Sequence, residues 1–346
     1  MPAERLSFPI DFRRLAVVAC VLLLAFAAAP NPASGEEAGD VEARDEDALL
    51  ELATKPWKGD LDGMYQRGYI RVLTVYNPLF FFYDGAEQKG IGHDITQAFA
   101  ERLNKGRPKG APPMRILQMP VARDELLPAL IEGKGDIAAA NLTVTEERSK
   151  LVQFSDPAYT GVSELVVTSP KAGVIASFDD LADLGLHLRE SSSYFTHVTA
   201  LNEKRKAEGK AEIPVTKVDE NLEDYDLLEM INADLMPAII VDSHKVAFWA
   251  KVFQGINVHQ DLAVNTGGKI AWALRKDNPL LLKEVNAFWK ESRKGTTLGN
   301  IILKRYLGST KWVDNALSGD GWARYQNVIS IIKTYAGKYD FDWLMV

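Results

Sequence analysis

The sequence predicts an α/β protein built from two similar units, and three observations lead there. Between Ile70 and Ala140 the pattern reads strand, helix, strand, helix, strand. The same alternation returns after Pro170. Hydrophobic residues make up 47% of the 346 and charged residues 25%, the balance of a globular chain of about two or three domains. Strands alternating with helices predict a mostly parallel sheet with helices on its faces.

The first segment reads as an address. Arg13 and Arg14 precede an apolar run from Leu15 to Ala29, shorter than the ~20 residues of a spanning helix. A basic start, an apolar middle and a small-residue exit predict a secretory signal peptide over residues 1–35. The expected location is the periplasm, with association to the outer membrane as the alternative. Cys20 is the single cysteine, which excludes an intramolecular disulfide and a Cys-rich metal cluster. Residues 36–60 read as an acidic linker.

In the first unit, Ile70–Tyr76 is a β-branched run between Gly68 and Asn77-Pro78, hence a strand. Phe80–Tyr83 is a second short strand. Ile95, Phe99, Ala100 and Leu103 fall at helical spacing. Residues 114–119 predict a strand, 124–132 a helix stopped by Gly133, and 136–140 a strand. In the second unit, strands are expected at 186–189, 213–218 and 237–241. Helices are expected after Ser191–Ser193, at 224–232 and at 243–253, with a charged loop at 204–210 and an extended segment at 257–263. A strand at 269–275 follows, then an amphipathic helix carrying Leu281, Val285, Phe288 and Trp289. A last helix is expected at about 297–306.

Two α/β units suggest a cleft between them, and ligands in open α/β sheets sit beyond the carboxyl ends of strands. That singles out Tyr76-Asn77, Asn141 to Thr143, Arg189 to Ser193, and Asp242-Ser243. A net charge of −7 repels phosphate backbones, so no nucleic-acid partner is expected. The five histidines show no metal-ligand spacing, and neither a metal nor a cofactor is expected.

The stretch from Asp124 to Pro157, with Leu-Thr-Val-Thr-Glu-Glu-Arg at 142–148, resembles the bacterial family 3 solute-binding proteins. The resemblance runs from about Tyr69 to Leu307. It implies a two-lobed, hinged periplasmic-binding-protein fold of type II, with lobe 1 at 61–165 and 264–310 and lobe 2 at 166–263. More finely, Gly59–Asp62, Arg123-Asp124 and Ala139–Thr143 resemble the binding domain of the membrane-bound lytic murein transglycosylases F. Tyr325–Val346 resembles the opening helix of their lysozyme-like domain, so residues 311–346 are expected to be the start of an incomplete one. The family's catalytic glutamate follows that helix, so no catalytic centre is expected in this chain.

The resemblance implies binding or sensing of amino acids or short cell-wall peptides. The alternatives are the amino-acid-binding component of an ABC importer, and part of an active transglycosylase if the gene continues. Implied partners are a small zwitterion, and peptidoglycan or an ABC permease. Residue by residue, Arg148 matches the arginine that grips the ligand's carboxylate, with Asn141 and Thr143 beside it. Ser191 and Ser192 match the second lobe's helix N-terminus, and Asp242 the residue that accepts the ammonium. Tyr76 and Phe80 are candidates to line the pocket. Plainer roles compete: Arg148 in a surface pair with Glu146, Glu147 or Asp156, Asp242 and the serines as helix caps, and Asn141 and Thr143 as turn residues. Tyr76 and Phe80 compete as core, and His93-Asp94 as a structural pair rather than an acid–base one. Gln118-Met119-Pro120 lacks the aromatic that many amino-acid receptors carry there, which favours a peptide or muropeptide ligand.

Overall fold

The computed structural model describes residues 55–84, 87–310 and 313. The signal peptide expected over 1–35, most of the linker expected over 36–60, and the catalytic-domain start expected over 311–346, Val313 apart, lie outside the described residues.

Helix α1 (Leu61–Arg67) begins where Asp60 accepts the Leu61 N–H at 2.8 Å, and ends at Gly68, whose φ of 80° suits a residue without Cβ. Asp60 also accepts the Leu280 and Leu281 N–H groups at 2.7 and 2.9 Å. One carboxylate thus starts two helices, α1 and the later α9 (Pro279–Ser292).

The central sheet has seven strands. β1 (Tyr69–Thr74) lies parallel between β4 (Arg115–Pro120) and β5 (Ile137–Thr143). Helices α2 (Ile91–Lys105) and α3 (Leu126–Glu132) make the crossovers that parallel pairing requires. A short hairpin of β2 (Phe82–Asp84) and β3 (Glu87–Lys89) precedes α2. After α4 (Glu146–Leu151), the two-residue β6 (Gln153–Phe154) pairs with β11 (Asn257–Leu274). β7 (Tyr159–Thr168) and β10 (Ala238–Asp242) complete the order β10-β7-β11-β5-β1-β4.

The expected mostly parallel sheet holds only for β4-β1-β5. β11 runs antiparallel to both β5 and β7, and β10 antiparallel to β7. The antiparallel pairs centre on β11, an 18-residue strand where the sequence analysis expects an extended segment at 257–263 and a separate strand at 269–275. Register shifts along its pairing with β7 absorb the residues between those two segments as bulges, so the strand bends without ending.

The second half adds α5 (Phe178–Leu184), β8 (Leu186–Leu188), α6 (Ser193–Ala207), β9 (Val215–Lys217), α7 (Asp224–Asn232) and α8 (Ser243–Trp249). β8 pairs in parallel with β9 and lies beside β10. Part of the charged loop expected at 204–210 is helical: Arg205 is buried and holds the Ala211 carbonyl at 2.7 Å and Asp179 at 2.9 Å.

Among the described residues the core forms three clusters. The largest packs α2, α9 and α10 (Thr297–Leu307) on the sheet, with Phe99, Trp272, Phe288 and Trp289 at its centre. Ring centroids there stand 5.3 Å apart for Phe99–Phe288 and 4.8 Å for Trp272–Trp289. The second joins Leu73, Leu126, Leu130 and Ala273 on the opposite face, and the third joins Val166, Leu186, Leu188 and Ile240 near β8. The fully buried Asp136 binds Arg67 and lies 3.1 Å from Arg71, whose guanidinium also holds the Lys55 and Gly133 carbonyls. These bonds tie the start of the described chain to β1 and β5.

Candidate functional site

Near its end, β5 takes an uncommon backbone conformation. Asn141 has φ 53°, the left-handed region that few residues other than glycine adopt. Its side chain is held on both sides: Nδ2 donates to Asp242 Oδ2 at 3.3 Å, and Oδ1 lies 3.1 Å from His244 Nε2. Asp242, as a carboxylate, can only accept, so the amide orientation follows, and His244 Nε2 is the donor to Oδ1. Burial pushes the His244 pKa down to about 4, which keeps the ring neutral.

Two residues after β5, Thr145 caps α4 by accepting the Arg148 N–H at 3.2 Å. That cap sets the partly buried Arg148 at the strand end. Its Nη1 donates to the Thr143 carbonyl at 2.8 Å and its Nη2 to the Ser191 carbonyl at 2.8 Å. Among the described residues Arg148 has no carboxylate within ion-pair distance, and Glu146 pairs instead with Lys150 at 3.2 Å. The surface-pair alternative is therefore not what forms. Loss of water lowers the Arg148 pKa to about 10, the like charge of Arg123 adds to this, and Glu164 and Asp242 oppose it. Asp242 is thus close enough to act on Arg148 through its charge.

Asp242 is 1% exposed and closes β10. It makes no side-chain cap bond to α8, so the capping alternative is not formed either. Oδ2 takes Lys245 at 3.0 Å in addition to Asn141, while Oδ1 is buried with no hydrogen-bond partner. Lys245 is shared with Asp224 at 2.6 Å.

The serines have other bonds as well. Ser192 caps α6, accepting the Phe195 N–H at 3.1 Å and donating to the Arg189 carbonyl at 2.7 Å. Ser191 gives its N–H to Glu220 Oε1 at 3.0 Å and its hydroxyl to Glu220 Oε2 at 2.5 Å. Tyr76 is 57% exposed. Phe80 lines a cavity of about 310 Å³ together with Asn141 and His244. The structure therefore joins Arg148, Thr143 and Ser191 directly and joins Asn141 to Asp242. His93 and Asp94 do not act as a pair: His93 Nδ1 meets Gln118 Oε1 at 2.5 Å and Asp94 binds Arg305. Among the described residues no group of three His, Cys, Asp or Glu could hold a metal ion.

Sequence reasoning missed a dense set of charges around these residues. Arg123 makes two bonds of 2.6 Å to Glu223, a fork-on-fork pair with both side chains under 10% exposed. Asn77 Nδ2 adds a 3.4 Å bond to Glu223. Burial works against both charges, but each outweighs it for the other, so Arg123 is raised and Glu223 lowered. Asp224 binds Arg189, Lys245 and the Tyr194 hydroxyl, and these cations hold its pKa well below the carboxylate range despite burial. Glu164, fully buried, takes the Ser193 hydroxyl at 2.8 Å and His197 Nδ1 at 2.6 Å. In the sequence, Glu223-Asp224 looks like the acidic start of a helix, and it does cap α7; its distant partners are visible only in three dimensions.

The chain is similar to several known proteins. The sequence pattern of the bacterial extracellular solute-binding proteins, family 3, matches residues 70–309. A membrane-bound lytic murein transglycosylase F of Desulfosudis oleivorans is 25% identical over 285 residues, covering 81% of this chain and 59% of that protein. One of Pseudomonas fluorescens is 28% identical over 253 residues, covering 72% and 48%. The chain thus spans between about half and three fifths of the length of these relatives. Among solved structures, an ancestral arginine-binding protein bound to arginine has a TM-score of 0.57 at 25% identity, covering 70% of this chain and 99% of that one. A Streptococcus pneumoniae uptake-transporter binding protein with bound histidine has a TM-score of 0.57 at 16% identity, a likeness of fold alone, covering 72% and 96%. The fold is the two-lobed type II periplasmic-binding-protein fold, and the chain belongs to the bacterial extracellular solute-binding proteins of family 3.

Proposed function

We propose that this chain is a periplasmic binding or sensing domain for amino acids or short cell-wall peptides, of the lytic transglycosylase F type. Residues 61–165 with 264–310 form one lobe and 166–263 the other, joined through β7 and β11. Arg148 receives the ligand's carboxylate and Asp242 its ammonium, with Asn141, Thr143 and Ser191 around them.

The observation that carries this reading is the state of Arg148. A guanidinium that has lost water, hydrogen-bonds only carbonyl oxygens and feels Glu164 and Asp242 without pairing with either has room for a bonded anion. A ligand carboxylate supplies that anion in bidentate geometry. Asp242 Oδ1, buried in this conformation, is left without a hydrogen-bond partner and is the acceptor remaining for an ammonium beside Lys245. The ancestral arginine-binding protein, at 25% identity, carries an amino acid in the same fold.

The test is a thermal-shift screen with amino acids and muropeptides, followed by calorimetry on the wild type and Arg148→Ala. We expect micromolar binding, about −8 kcal/mol. Losing the buried carboxylate's partner should weaken it by about 3–5 kcal/mol. Equal affinity for the two proteins would falsify the role of Arg148.

A further inference from the structure

Polar bonds cross between residues 61–165 and residues 166–263, the two lobes of the proposed function, on which this inference rests. Asn141 reaches Asp242 and His244, and Arg148 reaches the Ser191 carbonyl. Each of these bonds involves a residue assigned to the ligand, so a ligand competes for them. Arg123 and Glu223 stand outside that set. Arg123 Nε meets Glu223 Oε1 and its Nη2 meets Oε2, both at 2.6 Å, and the two side chains are 9% and 8% exposed. Asn77, from the same side as Arg123, adds its 3.4 Å bond to Glu223.

Each partner is mounted on its own lobe before the two meet. Arg123 lies in the turn between β4 and α3, and its Nη1 donates to the Ala140 carbonyl of β5 at 3.2 Å. Glu223 is the N-cap of α7, with its own N–H held by Asp226 at 2.8 Å. A surface ion pair loses most of its gain to salt screening and to the freezing of two long side chains. Neither loss weighs much on this pair: a mounted guanidinium fork is already oriented for a carboxylate, and exclusion of water leaves the attraction weakly screened.

We propose that the Arg123–Glu223 pair is a latch between the two lobes, which holds the cleft shut by itself and must part for a ligand to enter or leave. The latch sets the balance between open and closed lobes. A ligand then adds its bonds at Arg148 and Asp242 to a closure already favoured, rather than creating that closure. Its apparent affinity depends on the latch, because the balance between open and closed lobes enters the binding constant. Removing Arg123 makes the closed state costly, since Glu223 is then buried without its cation, and opening relieves that cost by returning the carboxylate to water.

The experiment is electron–electron double resonance on the full chain with no ligand added, so that it stands apart from the role of Arg148. Cys20→Ser removes the native thiol. Spin labels at Glu101→Cys on α2 and Glu203→Cys on α6, both exposed, read the distance between lobes, and labels at Glu101→Cys and Glu132→Cys read a distance within one lobe. With Arg123 and Glu223 in place, the interlobe distance should be a single narrow population. Arg123→Met should move the equilibrium towards a second distance by about a hundredfold or more. Glu223→Gln keeps the shape without the charge and should act in the same direction by less; it serves as the test if circular dichroism shows that Arg123→Met does not fold. The distance within the lobe should not change. A broad interlobe distribution with the pair intact, or an interlobe distance unchanged in every variant that folds, overturns the latch and leaves the reading of two lobes standing. Interlobe and intralobe distances that broaden together mark the pair as a brace within one body, and both readings then fall.

Discussion

Arg123→Met tests the physics of the charged cluster most directly. In the folded protein Arg123 and Glu223 are joined by two bonds of 2.6 Å with little exposure, and Arg123 also reaches the Ala140 carbonyl at 3.2 Å. Removing the arginine leaves Glu223 buried with Asn77 as a neutral partner and Arg189 as the next cation. Breaking one half of a buried pair typically costs about 3–5 kcal/mol, whereas replacing both halves by apolar side chains is close to neutral. Arg123→Met should therefore lose about 3–5 kcal/mol in urea unfolding at pH 7, and Arg123→Met with Glu223→Leu should recover most of it. The sign with pH follows from linkage. In the wild type the Glu223 pKa lies below its unfolded value, so its contribution is present above about pH 4.5 and is lost as pH falls through the folded value. In Arg123→Met, burial dominates and raises that pKa, so the penalty grows as pH rises through it. The gap between the two proteins should widen from pH 4 to pH 7. A loss below about 1 kcal/mol at pH 7, or one as large at pH 4, refutes the reasoning.

Two further outcomes are expected. Phe288, 1% exposed and in ring contact with Phe99, Trp272 and Trp289, should cost about 3–5 kcal/mol on change to alanine, read as a lower denaturation midpoint. Asp226, raised to about 6 chiefly by burial, holds the Glu223 N–H at 2.8 Å. Its folded pKa exceeds the unfolded one, so ionising it weakens the fold as pH rises through about 6. Asp226→Asn keeps an acceptor without the charge and should stabilise by about 1–2 kcal/mol at pH 8 but not at pH 4, measured as Tm against pH.

How far the sequence could be read depended on the range of each signal. Local periodicity placed α2 and α9 well, since Phe99 and Phe288 sit at helical spacing and do meet in the core. Turn and cap chemistry correctly put Ser191 to Ser193 at a helix start. The continuity of β11 was not legible, because Asn265–Gly268 has the composition of a turn and only the pairing with β7 on either side carries the strand through it. The motif singled out Arg148 at a strand end, but its bonds to two carbonyls, one of them on Ser191, were not legible.

By itself the sequence determined the alternation of strands and helices, the apolar faces that must be buried, and the strand ends where polar residues gather. Those are properties of spacing and residue type over about ten positions. Only the tertiary structure decided which charge meets which: that Arg123 clasps Glu223 a hundred residues away, and that Arg148 is left with carbonyls. Pairing energies depend on distance and on exclusion of water, and neither exists until the chain has folded.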